Sequence, residues 1–207
     1  MEEPPWLSWV REVQAIAQTG LTFASDPYDL ERYRRLREIA LAVLAQGSGS
    51  PIEPIRELFE QDLGYPTPKI DVRGAAFREQ RILLVREISD GGWTLPGGWA
   101  DVNQSARECV EREIREESGF EARAVKLAAL YDYRRQGNRR AHPYSIYKAF
   151  FICELTGGTA RASMETSEVA FFAPDALPPL STGRATEAQI ARMFEHWREP
   201  GLETEFD

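Results

Sequence analysis

No stretch of this chain is long and apolar enough to cross a membrane, because arginine, glutamate or glycine interrupts every hydrophobic run within a few residues. The first residues, Met1-Glu2-Glu3-Pro4-Pro5, lack the basic start and apolar run of a secretory signal, so a cytoplasmic protein is expected. Cysteine is scarce. Cys109 falls on an amphipathic helix face and Cys153 in an apolar strand run, which suits reduced core thiols and excludes a disulfide framework. No His/Cys grouping offers zinc a site. Positive charge is also short: the formal net charge is −8, which argues against broad nucleic-acid binding through counterion release. An anionic substrate would then need metal ions to offset its charge. There are no internal repeats, and the one low-complexity stretch is a short Gly/Ser segment.

What is present suffices for one full core and a small second unit: 207 residues, 43% of them hydrophobic. Residues 1–64 read as a helical N-terminal domain and 65–207 as a separate second domain. Trp6, Val10, Val13, Ile16 and Ala17 recur at helical spacing from Trp6 to Gln18, with Gly20 as a stop. Asp26-Pro27 is an N-cap followed by proline at the first helical position, opening a second helix to about Ala45. Its stripe is Leu30, Tyr33, Leu36, Ile39, Ala40 and Val43. Gln46-Gly47-Ser48-Gly49-Ser50 reads as a linker, and Pro51 to Leu63 as a third helix. Three such helices bury little alone, so their stripes must pack on a partner subunit or on the rest of the chain, and of the two a homodimer is expected. From Lys69 the pattern becomes strands: Ile70 to Phe77, a turn at Arg78-Glu79-Gln80, Arg81 to Arg86, Ala124 to Tyr133, Tyr144 to Leu155, a Gly157-Gly158 turn and Val169 to Phe172. A last helix runs from about Thr186 to Trp197. This order predicts an α/β fold, a mixed sheet between helices.

The most informative segment is Gly98 to Phe120. On a helix from Ser105 to Ser118, Ala106, Cys109 and Val110 form an apolar stripe that Glu113, Glu116 and Glu117 continue. Arg107, Glu108, Glu111, Arg112 and Arg115 lie behind, with Glu108 to Arg112 and Glu111 to Arg115 spaced for favourable pairs. That back face reads as solvated. A glutamate cluster is ordinarily a solvated face too. Here three carboxylates share the core-directed side, where they repel one another and burial raises their pKa values. A bound cation removes both penalties, and oxygen ligands suit Mg²⁺ or Mn²⁺ rather than Zn²⁺. Before the helix, Trp93-Thr94-Leu95-Pro96-Gly97-Gly98 is a short strand breaking into a glycine turn where backbone carbonyls can approach a ligand. Gly119 closes the helix.

The segment resembles the Nudix box, G-x5-E-x7-R-E-U-x-E-E-x-G-U, with U an aliphatic or bulky apolar residue. Gly98, Arg112, Glu113, Ile114, Glu116, Glu117, Gly119 and Phe120 fall in register, eight of nine defined positions, while Gln104 stands where the first glutamate belongs. The resemblance implies an α/β/α sandwich and a divalent-metal hydrolase of diphosphates. It implies that Glu113, Glu116, Glu117 and the Gly98 carbonyl hold the metal, that Arg112 orients Glu113, and that a glutamate from the later segment, Glu165 or Glu168, completes the site or activates water. Trp9 to Ala40, with Pro66 to Gly74, resembles the helical N-terminal extension of one group of bacterial Nudix hydrolases, which includes CDP-choline pyrophosphatases and proteins named ADP-ribose pyrophosphatases.

The expected substrate is a nucleoside diphosphate linked to another small group. Arg73, Arg134, Arg135, Tyr131 and Lys148 are the candidate contacts to it. Arg134, Arg135, Arg139, Arg140, His142 and Lys148 crowd into one segment that reads either as a solvated hairpin loop or as a phosphate clamp, with a short RNA as the alternative partner. Tyr131, Tyr133, Tyr144 and Tyr147 read as packing residues, one of which could stack a nucleobase. RNA-end hydrolysis and a catalytically weakened ligand sensor are the rival functions. Gln104 is the feature that favours the sensor.

Overall fold

A computed structural model describes residues 4–61, 64–137 and 143–207. The chain divides into two compact units, Met1–Pro68 with Ala141–Ser145, and Lys69–Arg140 with Ile146–Asp207. The first holds three helices, α1 (Pro5–Phe23), α2 (Pro27–Ser48) and α3 (Ile52–Gln61); Leu63, the predicted end of the third, lies outside the described residues. Asp26 caps α2, its carboxylate accepting from the N–H groups of Tyr28 and Asp29 at 2.9 and 3.0 Å. Two glycines expected to stop or link helices lie inside them instead. A Cβ on Gly20 would fall 2.3 Å from the Tyr33 ring, and one on Gly47 2.5 Å from the Trp6 ring. Each is therefore the place where an aromatic meets the neighbouring helix backbone, a contact that outweighs a helix-propensity penalty of about 1 kcal/mol. The break itself comes at Gly49, whose φ of 68° closes α2.

Leu7, Val10, Ala40, Leu41, Leu44 and Phe59 form this unit's core, with Tyr144 packed against it. Tyr144 is thus part of the helical unit and not of the strand predicted to begin with it. The predicted stripes are only partly buried. Trp9, Ile16 and Phe23, spaced seven residues apart on α1, are more than half exposed, and Ile39 and Val43 of α2 are also exposed.

The second unit runs β1 (Lys69–Arg78), β2 (Arg81–Glu87), β3 (Trp93–Thr94), α4 (Ala106–Ser118), β4 (Phe120–Asp132), β5 (Ile146–Gly158), β6 (Thr166–Phe172), α5 (Glu187–Arg198) and β7 (Glu205–Phe206). The strand order is β3-β2-β1-β5-β4-β7, with β6 also paired to β2. β1 with β5 and β4 with β7 are parallel and the other pairs antiparallel, so the sheet is mixed. Helix α4 covers one face, burying Cys109, Val110 and Ile114 against Val72, Ala76, Leu83 and Phe151. Helix α5 covers the other, with Ile190, Met193 and Phe194 on Ala75, Leu84, Phe150 and Ile152. Full burial of each Val, Leu, Ile, Met or Phe among them contributes about 1.5–3 kcal/mol, and the result is the predicted α/β/α sandwich.

Two details place the site. β4 starts at Phe120 because Gly119, at φ 76°, turns the chain directly out of α4. Gly157 and Gly158, expected as a turn, pair with Glu121 and Phe120 at the end of the sheet. Meanwhile β1 pairs with β2 only at Phe77–Ile82 and Arg78–Arg81, leaving the first half of that edge free for another partner. Residues 95–100 fill it. Gly74 N–H donates to Pro96 O at 2.9 Å, Val72 N–H to Gly98 O at 2.8 Å, and Ala100 N–H to Ile70 O at 2.9 Å. The glycine turn is therefore laid along β1.

Candidate active site

Helix α4 is fixed at both ends and along its back. The Ser105 hydroxyl accepts from the Glu108 N–H at 3.2 Å, and the Glu108 carboxylate accepts from the Ser105 N–H at 2.7 Å. Glu108 is thereby drawn into the cap instead of the predicted pair with Arg112. The Glu111 carboxylate accepts from the Ala124 N–H at 2.8 Å, and Arg107 Nε donates to the Ala124 carbonyl at 3.0 Å. The back face predicted to be solvated is partly stitched to β4.

The front face meets the turn. The Gly97 N–H donates to Glu117 Oε2 at 2.8 Å, and Glu117 is 6% exposed. A Cβ on Gly98 would lie 3.3 Å from Glu113 Oε2, so the Glu113 carboxylate sits directly over that glycine. Glu116 points outward, 2.9 Å from Arg112 Nη1. Arg112 also reaches Glu113 at 3.0 Å, Asp101 at 2.7 Å and, through Nε, Gln104 Oε1 at 3.2 Å. The neutral Gln104 is thus a brace between the loop and Arg112. Cys109, fully buried, strengthens the brace: its Sγ accepts from the Asp101 N–H at 3.3 Å and donates to Gln104 Oε1 at 3.5 Å.

Burial pushes Glu117 up to about 8, against the opposing pull of Arg73 and the Gly97 N–H, and neighbouring Glu113 and Glu87 push the same way. Burial raises Glu113 as well, with Arg112 opposing. Among the described residues no three acidic, His or Cys side chains already converge as a metal cluster, and the Glu116 carboxylate is held by Arg112. The donor set still fits a hard divalent cation: two adjacent carboxylates with raised proton affinity, a third one turn away, and a peptide carbonyl at Gly98 with a second lone pair.

The other predicted residues lie elsewhere. Arg73, Lys148 and Tyr131 are buried on the α5 side of the sheet, at 4%, 2% and 6% exposure. Arg73 makes a two-pronged bond to Asp71, at 2.8 and 2.7 Å, and Lys148 and Tyr131 donate to the Arg184 carbonyl and the Glu205 carboxylate. Arg134 pairs with Asp132 at 3.4 Å and Arg135 is exposed; Arg139, Arg140 and His142 fall outside the described residues. The Glu168 carboxylate is held by Arg86. Glu165 is exposed and close enough to Glu87 to raise its proton affinity, although burial is the larger cause there. Glu87 itself was not foreseen. It ends β2, is 5% exposed, pairs with Arg184 at 3.0 Å, and lies opposite Thr166, whose hydroxyl donates to the Glu117 carbonyl at 2.7 Å. An acid ending an apolar strand run was its only mark in the sequence.

The NUDIX domain matches residues 67–194, and a domain described as UDP-X-like, N-terminal oligomerisation matches residues 4–59. The chain belongs to the NUDIX family. A Bacillus subtilis (strain 168) relative, YjhB, named provisionally as an ADP-ribose pyrophosphatase, is 44% identical over 202 residues, 98% of this chain and 97% of its own. A crystal structure of a Streptococcus suis 89-1591 ADP-ribose pyrophosphatase superposes with a TM-score of 0.63 at 42% identity, covering 68% of this chain and all of that one. A UDP-X diphosphatase structure gives 0.63 at 33% identity over the whole of both chains. The chain is therefore a NUDIX hydrolase with the helical N-terminal extension of this group, and the extension points to an oligomer. No helix among the described residues is long and apolar enough to cross a membrane.

Proposed function

We propose that this NUDIX hydrolase cleaves the diphosphate of a nucleoside diphosphate joined to a second group, giving a nucleoside monophosphate and the phosphorylated second group. Relatives named for ADP-ribose and UDP-X support that substrate class, with a CDP-choline-type molecule as a further member of it. The observation that carries the reading is the meeting of Glu113 and Glu117 with the Gly97-Gly98 turn. Glu113, Glu116, Glu117 and the Gly98 carbonyl would hold Mg²⁺ or Mn²⁺, which when bound polarises phosphoryl oxygens and lowers the pKa of water.

The protein's own part is positioning and charge placement. Gly97 fixes Glu117 through its N–H, and Arg112 steadies Glu113 and Glu116 while tying the loop through Asp101 and Gln104. Of the two late glutamates, Glu165 is the one proposed to take the proton of the attacking water, because the Glu168 carboxylate is occupied by Arg86. Glu165→Gln should lower turnover at least about tenfold and Glu168→Gln by less than about twofold; the reverse order would reassign the base.

The assay is product release from ADP-ribose, UDP-sugars, CDP-choline, NADH, nucleoside triphosphates and short RNA, with and without Mg²⁺. Metal-dependent cleavage of one diphosphate-linked class is the expected result. Cleavage of RNA alone would favour the RNA-end reading, and binding without turnover would favour a sensor. A homodimer is proposed to form through the helical unit, where Trp9, Ile16, Phe23, Ile39 and Val43 leave an apolar face exposed.

A further inference from the structure

We infer that Arg73 is a positioning residue that grips the Leu95 end of the glycine turn from below, held there by buried Asp71 and Lys148, and that it makes no contact with substrate. The inference rests on the reading of that turn as the active site.

Strand alternation sets its direction. Val72 packs under α4, and a Cβ on Gly74 would meet Ile114 of α4, so Arg73 between them points to the opposite side of the sheet. Each of its three guanidinium nitrogens has a partner inside the protein: Nε and Nη2 the two oxygens of Asp71, and Nη1 the Leu95 carbonyl at 3.2 Å. Asp71 is flanked by a second cation, Lys148 Nζ at 3.7 Å. Lys148 donates to the Arg184 carbonyl, and Arg184 Nε reaches Glu87 at 3.0 Å. Burial works against the Asp71 charge, but Arg73 and Lys148 overcome it and lower its proton affinity. The chain from Glu87 through Arg184, Lys148 and Asp71 to Arg73 thus runs from the end of β2 to the underside of the turn.

The turn needs this grip. Gly97 has φ 144°, and a Cβ there would lie 2.0 Å from the Val72 carbonyl, so the backbone is pressed onto β1. The three backbone bonds that hold the segment use the carbonyls of Pro96, Gly98 and Ile70, leaving that of fully buried Leu95 for Arg73. Pro96 offers no N–H to strengthen the register. Two residues beyond Leu95, the Gly97 N–H holds Glu117. Arg73 therefore acts on the carboxylate through the turn as well as through its own charge, which favours the ionised form of Glu117. A lysine would keep the charge beside Asp71 but could not span both Asp71 oxygens and the Leu95 carbonyl.

The test compares wild type, Arg73→Lys and Asp71→Asn by NMR-detected amide exchange in the metal-free protein and by steady-state kinetics. Exchange at the Gly97 amide should accelerate at least about tenfold in both variants while the α5 and β5 amides keep their protection, and kcat should fall at least about tenfold with KM changed less than about threefold. A raised KM with unchanged Gly97 exchange would make Arg73 a substrate contact and overturn the inference. So would an Arg73→Lys protein equal to wild type, which would leave only its charge in play. If Arg73→Lys does not fold, Asp71→Asn carries the same comparison. Faster Gly97 exchange in a chain that cleaves no diphosphate would uphold the grip and reject the proposed function instead.

Discussion

Glu117 should make the metal-free protein lose stability as pH rises through neutrality. Its folded pKa is raised from 4.5 to about 8, chiefly by burial. The folded state then holds the proton more tightly than the unfolded one, so the contribution is fully present below about pH 4.5 and is gone above about pH 8. At 1.36 kcal/mol per tenfold in proton affinity, the full swing is at most roughly 5 kcal/mol, a large share of the 5–15 kcal/mol typical of a domain. Binding a divalent cation requires the carboxylate form and must expel the proton. With a pKa of about 8, roughly nine-tenths of Glu117 is protonated at pH 7 and about one-tenth at pH 9. Titration calorimetry with Mn²⁺ in two buffers of different ionisation enthalpy should therefore show about 0.9 proton released per site at pH 7, falling towards 0.1 at pH 9. In Glu117→Gln the release at pH 7 should fall well below the wild-type figure, and the fall in metal-free Tm between pH 5 and 8 should flatten. Release below about 0.2 proton at pH 7, or a wild-type pH profile matching that of Glu117→Gln, would refute the reasoning.

Further outcomes follow from single contacts. Gly97→Ala places a methyl 2.0 Å from the Val72 carbonyl at a φ of 144°; a loss of about 2–4 kcal/mol in denaturant unfolding and of nearly all turnover is expected. Gln104→Glu keeps the oxygen that Arg112 Nε approaches at 3.2 Å and adds charge to it, so turnover should stay within about threefold of wild type with a slightly higher Tm; a gain of a hundredfold would show that Gln104 is a catalytic loss rather than a brace. Ile16→Glu with Trp9→Lys puts charge on the exposed face of α1 and should convert the oligomer to monomers in sedimentation, and an unchanged mass would move the interface elsewhere.

Much could be read from the chain alone because the deciding physics was local. The helix over the box follows from its 3.6-residue stripe and from Gly119, whose φ of 76° no other residue type adopts as easily. The strands around it follow from apolar runs and the turn at Glu79-Gln80, although both residues there take left-handed conformations without being glycine. Family membership rests on the same compact segment.

What escaped that reading depends on partners far away in the chain. A glycine inside a helix looks like a stop until Tyr33 or Trp6 is seen resting on it. Arg73, Lys148 and Tyr131 look like free polar groups near a site until strand register sets Lys148 against both Asp71 and Tyr131 and the sheet turns all three inward. By spacing alone Arg112 passes for a surface arginine paired with Glu108; the box resemblance adds Glu113, and only the fold shows the cap claiming Glu108 and the loop bringing Asp101 and Gln104 to the guanidinium. Side-chain identity and spacing decide which groups can pair; the packing of strands and loops decides which of them meet, because burial makes each buried charge depend on one particular partner.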